Sequence, residues 1–172
     1  FGIGTTNPLN RLHVRQGILG SFTAQIENFG NGVNSHGLLI SAGGDVNTGS
    51  QMIEFRRPDG TVIGSVNQDT AASVAFNTTS DRRLKENIVD TSLGLDTLMK
   101  LQVHDYNYIS DSTNTQMQGF IAQELNDVYS QAVTVGGSNA KTNPWQVDYS
   151  KLTPLLTKSI QDLEVKKANK NE

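Results

Sequence analysis

Apolar and polar residues alternate in short stretches through the first half of the chain. In "RLHVRQ", Leu12 and Val14 fall on one side, with polar residues between and around them. The same alternation occurs in "SFTAQIENF", "GLLISAGG", "QMIEFRRPDGTVIGSVNQ" and "ASVAFNTT". Alternation bounded by Gly, Asn and Asp predicts β-strands. No helical stripe is found before residue 90, so we expect this half to consist of short strands.

The stretch "RPDGT" predicts a turn between two of these strands. Pro58 presets its own φ, and Gly60 accepts a positive φ. We therefore expect residues 52–55 and 61–66 to pair as a hairpin. The strands are many, short and rich in glycine, so they fit an elongated β structure better than a compact barrel. In such a structure, three chains could complete one another's cores.

After residue 90 the period of the apolar residues becomes helical. The stretch "TSLGLDTLMKLQ" predicts a helix capped by Asp90, Thr91 or Ser92. Its apolar positions at helical spacing are Leu95, Leu98, Met99 and Leu101. "VHDYNYI" alternates and predicts a strand, and "QGFIAQELNDVY" begins extended and becomes helical. The second half is therefore predicted to mix helices and strands.

A longer helix is predicted from about Lys151, with Pro154 in its first turn, where the missing N–H carries no cost. The apolar stripe of this helix recurs at three- and four-residue steps and consists of Leu152, Leu155, Leu156, Ser159, Ile160 and Leu163. It fits two interpretations equally well, packing onto its own domain or oligomerisation. The stripe covers only about two heptads, too few for an isolated coiled coil.

Composition separates the two halves. Residues 1–80 hold 12 of the 16 glycines, whereas residues 81–172 hold ten of the 14 basic residues. Apolar residues make up 35% of the chain and aromatic residues 6%, which is lean for a self-sufficient globule, so partner chains are expected to supply part of the core. The predicted fold is a β-rich, elongated, trimeric stalk segment (a triple-stranded β fibre) at residues 1–80. An α+β domain follows at residues 81–172 and ends in a long helix.

Charge and composition also exclude several classes of function. A net charge of -3 and a pI of 5.6 argue against a nucleic-acid binder, which needs a dense basic face. The chain has no cysteine and only three scattered histidines, so we expect neither a metal nor a cofactor. No apolar run is long enough to span a membrane, and we expect no signal peptide within the chain. Because the chain starts at Phe1 rather than Met, we expect a fragment of a longer protein.

The stretch "NTTSDRRLKENIVD" lies where the two halves join and combines hydroxyl, acidic and basic side chains. Ser80 and Lys85 are five residues apart. A serine hydroxyl is a poor nucleophile unless a base takes its proton. A neutral lysine is such a base where burial or nearby positive charge lowers its pKa, and Arg82 and Arg83 are candidates for that charge. On spacing alone, a solvated charged linker explains the stretch better.

The motif "TTSDRRLKENI" resembles the entry motif of the intramolecular chaperone auto-processing domains. These C-terminal peptidase domains are found on phage endosialidase tailspikes, tail fibres and neck-appendage proteins, and in the myelin regulatory factor. "QGFIAQEL" and "VDYSKLTPLLTKSIQDL" resemble two further family blocks in the same order, and "LQVHDYNY" matches a looser strand. The resemblance spans residues 78–165. "FGIGTTNPLNRLHV" also resembles a segment of phage fibre stalks.

The resemblance implies a self-cleaving serine endopeptidase in which Ser80 is the nucleophile and Lys85 the general base. The family places its cut at the bond that corresponds to Ser80–Asp81. A serine reaches its preceding carbonyl through a five-membered ring but its own only through a strained four-membered one. Intramolecular attack therefore favours Thr79–Ser80, unless water or the hydroxyl of another chain acts on the next bond. Thr79 and Asn87 are the expected supporting residues, and Asp81 either orients groups in the site or caps a loop.

The same resemblance implies a homotrimer whose only substrate is its own chain. The domain would trimerise first, raise the local concentration of the chain ends and set the register of the stalk. Its release by cleavage, during assembly in the infected host cytoplasm, would leave a kinetically stable fibre in the virion. The full-length fibre would meet a host-surface receptor or glycan. The alternatives are a passive trimerisation module and a receptor-binding fibre tip, both without peptidase activity.

Overall fold

The computed structural model describes residues 1–14, 23–24, 26, 28, 36–43 and 50–170. The chain divides into two compact units, Phe1–Glu86 and Asn87–Glu172. The boundary predicted at residue 80, where the composition changes, stays a prediction.

Short strands make up the regular structure of the first unit. They are β1 (Gly2–Ile3), β2 (His13–Val14), β3 (Gln51–Arg56), β4 (Val62–Thr70) and β5 (Ser73–Thr78). β1 and β2 pair in parallel, and β3, β4 and β5 form an antiparallel sheet in that order. The predicted strands in "QMIEFRRPDGTVIGSVNQ" and "ASVAFNTT" are therefore confirmed, as is "RLHVRQ" at its described residues 13–14.

The turn between β3 and β4 forms as its residues predict. Arg57 N donates to Thr61 O at 2.9 Å, and Gly60 N donates to Arg57 O at 3.0 Å. Gly60 has a φ of 88°, a conformation that side chains disfavour. Asp59 Oδ1 accepts from Thr61 N at 2.9 Å and closes the turn. The predicted hairpin of residues 52–55 and 61–66 is confirmed.

Two other strand predictions have different outcomes. "SFTAQIENF" falls largely outside the described residues. The prediction for "GLLISAGG" is wrong, because its described residues 37–43 form no strand. Leu38 and Leu39 are 64% and 90% exposed. Alternation marks a face for burial, but a strand also needs a neighbour to satisfy its backbone groups.

The sheet of β3, β4 and β5 carries an apolar face that the described residues cover only in part. Ile53 lies opposite Val66, which lies opposite Phe76, so the three side chains share that face. Phe76 is 82% exposed and the neighbouring Phe55 is 51% exposed. Among the described residues of this unit, the buried ones are the polar Ser65 and Gln68.

The second unit alternates short helices with two small hairpins. Its elements are α1 (Leu95–Leu98), β6 (His104–Tyr106), β7 (Met117–Gly119), α2 (Ala122–Tyr129), β8 (Val133–Thr134), β9 (Gln146–Val147) and α3 (Leu152–Ala168). β6 pairs antiparallel with β7, and β8 pairs antiparallel with β9. The strand and helix predicted from "VHDYNYI" and "QGFIAQELNDVY" are confirmed, although β6 is shorter than predicted.

A hydrophobic core lies between α2 and α3. It consists of Leu125, Tyr129, Ala132, Leu152 and Leu155, each at most 8% exposed. Burying a leucine side chain fully contributes about 1.5–3 kcal/mol. This small cluster therefore fixes how α2 and α3 pack.

Part of the apolar stripe of α3 packs onto its own domain, and part of it remains exposed. Leu152, Leu155 and Ser159 are at most 5% exposed and pack within the unit. The rest of the stripe is exposed: Leu156 is 46%, Ile160 68% and Leu163 43% accessible. The helix therefore packs onto its own domain by one side and leaves part of its stripe uncovered. Pro154 lies in the first turn, as predicted.

The helix predicted around residue 95 is short, and its predicted caps are wrong. Gly94 occupies the cap position without a side-chain hydrogen bond. Asp162 of α3 supplies the acceptor instead, since its Oδ2 accepts from Leu95 N at 3.1 Å. Thr91 Oγ1 accepts from Leu93 N at 3.1 Å, outside the helix. A local sequence pattern does not reveal a cap that comes from 67 residues further along the chain.

Candidate active site

The chain is held to the sheet immediately before Ser80. β5 ends at Thr78, and the next residue, Thr79, makes two hydrogen bonds to the start of β4. Thr79 N donates to Ile63 O at 3.2 Å, and Thr79 Oγ1 donates to Val62 O at 3.0 Å. The hydroxyl of Thr79 is therefore engaged with the backbone of the sheet. Thr79 fixes the main chain that leads into Ser80.

A single 3-10 turn, Arg82–Leu84, then reverses the chain. Asp81 caps it, because its Oδ1 accepts from Arg83 N at 2.8 Å. Leu84 N donates to Asp81 O at 3.1 Å, and Lys85 N donates to Arg82 O at 3.0 Å. Aspartate is a preferred residue at the start of a helical turn, since its carboxylate satisfies a free backbone N–H. Of the two roles expected for Asp81, the structure shows the cap.

The turn brings together the two residues singled out from the motif. Lys85 Nζ donates to Ser80 Oγ at 2.6 Å, within one chain. When the amine is neutral, the same contact allows the serine hydroxyl to donate its proton to nitrogen, which is the step that activates a serine nucleophile. Both residues are exposed to solvent in this single chain. The geometry of a nucleophile–base pair is thus present without the dry surroundings that such a pair needs.

A second contact, between Asp81 and Arg83, lies inside this turn. Arg83 Nε donates to both carboxylate oxygens of Asp81 at 3.1 Å, and Nη2 donates to Oδ2 at 2.6 Å. These hydrogen bonds from Arg83 hold the pKa of Asp81 below its usual value and raise the pKa of Arg83. The sequence pattern treats Arg82 and Arg83 as equivalent positive charges. The structure separates them, since Arg82 has no side-chain hydrogen bond or ion pair with any described residue.

Asn87 is the first residue of the second unit and has a φ of 51°. Asparagine tolerates this left-handed conformation better than most residues, which explains its presence after the charged turn. Its predicted role in supporting Ser80 and Lys85 stays a prediction.

Neither a metal-ion site nor a membrane-spanning helix is found in the part of the chain that the structure describes. There, no group of three or more His, Asp or Glu side chains is placed to hold a metal ion. His104 pairs instead with Glu124, with 2.6 Å between Nε2 and Oε2. Across the described residues, no helix has the length and apolar character needed to cross a membrane.

Comparison with known proteins identifies the segment that carries this site. Residues 80–134 match the family model Peptidase_S74, which is described as "Chaperone of endosialidase". The match begins at Ser80 and includes the block at residues 118–125, whereas the block at residues 147–163 lies beyond it. Searches of curated proteins and of solved structures found no match. Residues 80–134 are therefore similar to the chaperone domains of that family.

Proposed function

We propose that this chain contains an intramolecular chaperone that drives trimerisation of a phage fibre or tailspike and then cuts its own chain. Ser80 is the nucleophile and Lys85 the general base. The observation that carries the proposal is the 2.6 Å contact between Lys85 Nζ and Ser80 Oγ, at the start of the segment that matches the chaperone family. Spacing alone did not favour this pairing over a solvated linker.

The chemistry begins with proton transfer from Ser80 Oγ to the neutral amine of Lys85. If the Thr79–Ser80 bond is cut, Oγ attacks the Thr79 carbonyl carbon through a five-membered ring. The C–N bond then breaks, the proton passes from Lys85 to the Ser80 nitrogen, and water hydrolyses the resulting ester. We favour the Ser80–Asp81 bond, where the family places its cut. There, Ser80 Oγ of another copy, or a water, attacks the Ser80 carbonyl carbon while Lys85 takes the proton of the attacking group. The C–N bond to Asp81 then breaks, the proton passes from Lys85 to the Asp81 nitrogen, and water hydrolyses the ester that an attacking Oγ leaves.

The exposure of the site indicates what assembly would add. Ser80 and Lys85 are solvated in the single chain, and Leu84 beside them is 64% exposed. A serine–lysine pair works best where the ammonium form of the lysine is poorly solvated. We propose that a homotrimer covers this segment and so activates a pair that is already in contact. Cleavage would then follow correct assembly instead of preceding it.

The partly exposed sheet of the first unit supports the same order of events. The apolar face that contains Phe76 is covered only in part by the described residues, as expected of a stalk whose core forms between three chains. Registering three chains is slow, because the contacts are non-local. A chaperone that trimerises first shortens that search. Its release makes the fibre kinetically stable.

The proposed setting is a virion tail fibre or tailspike, with the chaperone acting during assembly in the host cytoplasm. The substrate is the chain itself, and the partners are two further copies. A host receptor or glycan would be met by the full-length fibre. We expect nucleic acid and membranes to play no part.

The test is the intact mass of freshly synthesised chain beside Ser80→Ala and Lys85→Ala. We expect two wild-type fragments that meet at residues 79/80 or 80/81, while both variants stay whole. The fragment masses identify the bond. A trimeric wild-type chain that remains uncut would contradict the peptidase activity and favour a passive trimerisation module or a retained fibre tip.

A further inference from the structure

The Asp81–Arg83 pair lies between Ser80 and Lys85 in the sequence and inside the turn that joins them. Asp81 accepts hydrogen bonds from both the backbone N–H and the guanidinium of Arg83. One carboxylate therefore caps the turn and binds a side chain at the same time. The position of the Lys85 backbone depends on this turn, because Lys85 N donates to Arg82 O at its end.

Lys85 lies close enough to Asp81 for its charge to act on the carboxylate that Arg83 binds. The positive charge of Lys85 contributes to the low pKa of Asp81, after the larger effect of the hydrogen bonds from Arg83. Without Arg83, the Asp81 carboxylate would be free to compete with Ser80 for the lysine side chain. A lysine paired with a carboxylate keeps its proton and is no longer a base. The guanidinium prevents this by engaging both carboxylate oxygens, an arrangement that a fork-shaped donor favours.

We propose that Arg83 is a positioning residue for self-cleavage, which holds Asp81 in its cap geometry and so keeps Lys85 on Ser80. This inference rests on the proposed function of the Ser80–Lys85 pair. A stabilising role alone is a poor explanation of the contact, because Arg83 is 88% exposed and exposed ion pairs add little to stability.

The neighbouring arginine provides a matched control. Arg82 lies in the same turn and carries the same charge, but its side chain contacts none of the described residues through a hydrogen bond or ion pair. We would synthesise the wild type, Arg83→Ala and Arg82→Ala briefly in a cell-free system and isolate the trimer of each. The measured quantity is the rate at which the chains of that trimer are cut. We expect Arg83→Ala to slow cutting roughly tenfold or more, and Arg82→Ala, which removes a nearby positive charge but no contact with Asp81, to slow it clearly less.

Three further measurements separate positioning from general damage to the fold. Arg83→Lys restores one charged donor without the fork, so its rate should fall between those of wild type and Arg83→Ala. In an Asp81→Asn background, Arg83→Ala should cause little further slowing, because the two residues act as a pair. The pH–rate profile of Arg83→Ala should also move to higher pH, since the freed carboxylate favours the charged lysine.

The outcomes also distinguish this inference from the proposed function. An uncut wild-type trimer would overturn both. A wild-type chain that is cut normally, with Arg83→Ala cutting at the same rate, would overturn the positioning role alone. Equal slowing by Arg82→Ala and Arg83→Ala would also overturn the positioning role alone. Additive effects of Asp81→Asn and Arg83→Ala would overturn it as well. If Arg83→Ala does not assemble, the rate and pH profile of Arg83→Lys decide: a wild-type rate and profile would overturn the role.

Discussion

Leu155 in the second unit is 2% exposed, whereas Phe76 in the first unit is 82% exposed. The second unit packs α2 and α3 around a core of its own residues. The described part of the first unit is joined mainly by backbone hydrogen bonds between strands, and its buried residues are polar. A small sheet with one partly exposed apolar face is marginal in water.

The difference indicates where each unit obtains its stability. The second unit buries a small apolar core among its own residues. In the first unit, the strands form an apolar face that the described residues leave partly exposed. Under the proposed function this is expected, since a domain that folds early guides a stalk that needs other copies.

The largest effect on stability should follow from truncating a buried side chain in the core of the second unit. Leu155→Ala should lower the free energy of unfolding by about 2–5 kcal/mol, because a buried leucine leaves a cavity. Trp145 is the only tryptophan in the chain and lies in this unit, so its fluorescence during denaturant unfolding reports the change. Leu156→Ala is the matched control, because Leu156 is 46% exposed. Equal losses in the two variants would contradict the assigned core.

Truncating a side chain on the apolar face of the first unit should affect assembly and not the unfolding of the second unit. Phe76→Ser should leave the Trp145 unfolding transition unchanged but reduce the trimer population of the stalk fragment released by cleavage roughly tenfold at a fixed chain concentration, because a buried aromatic contact between copies is lost. Sedimentation velocity measures this. Asn77→Ser, on the opposite face of the same strand, should leave the trimer intact. An unchanged trimer in Phe76→Ser would show that other copies do not cover this face.

A smaller effect is expected where α3 caps α1. The hydrogen bonds from Lys158 and from Leu95 N hold the pKa of Asp162 below its ordinary value of 3.8. A lowered pKa in the folded state stabilises the protein above the unfolded pKa, and this stability is lost as the pH falls. Asp162→Ala should therefore lower Tm by a few degrees at pH 7. Below about pH 4, the variant should lose less stability on acidification than the wild type does.

The control for Asp162→Ala is Lys166→Ala. Lys166 Nζ also links α3 to α1, through Asp96 Oδ1 at 2.9 Å, but Asp96 is 90% exposed at its side chain. Its loss should not measurably change Tm, since exposed pairs are screened by water and salt. A larger loss in Lys166→Ala than in Asp162→Ala would contradict the assigned cap.

Local features of the fold were predictable from the sequence because they depend on neighbouring residues. The hairpin around Gly60 follows from its turn residues, and the start of α3 follows from its stripe and Pro154. The cap of α1 was not predictable, because Asp162 is distant in the chain. The absence of a strand at residues 37–43 was not predictable either, since alternation does not reveal whether a neighbouring strand is present.

In the candidate site too, some features were predictable from the sequence and others were not. The motif singled out Ser80 and Lys85, but spacing of five residues does not determine whether two side chains meet. Their contact depends on the turn at Arg82–Leu84 and on Asp81 as its cap. The different roles of Arg82 and Arg83 are invisible in composition, because only the direction of each side chain separates them. An Asp two residues before an Arg was the local signal for the pair.

The central claim is that three copies assemble and then cut themselves. Native mass spectrometry of the freshly synthesised wild-type chain, sampled over time, reports the number of copies and the state of the bond together. The account predicts an uncut trimer that appears first and becomes a cut trimer or its separated fragments. Fragments that appear while the chain is still monomeric, or a trimer that never becomes cut, would contradict it.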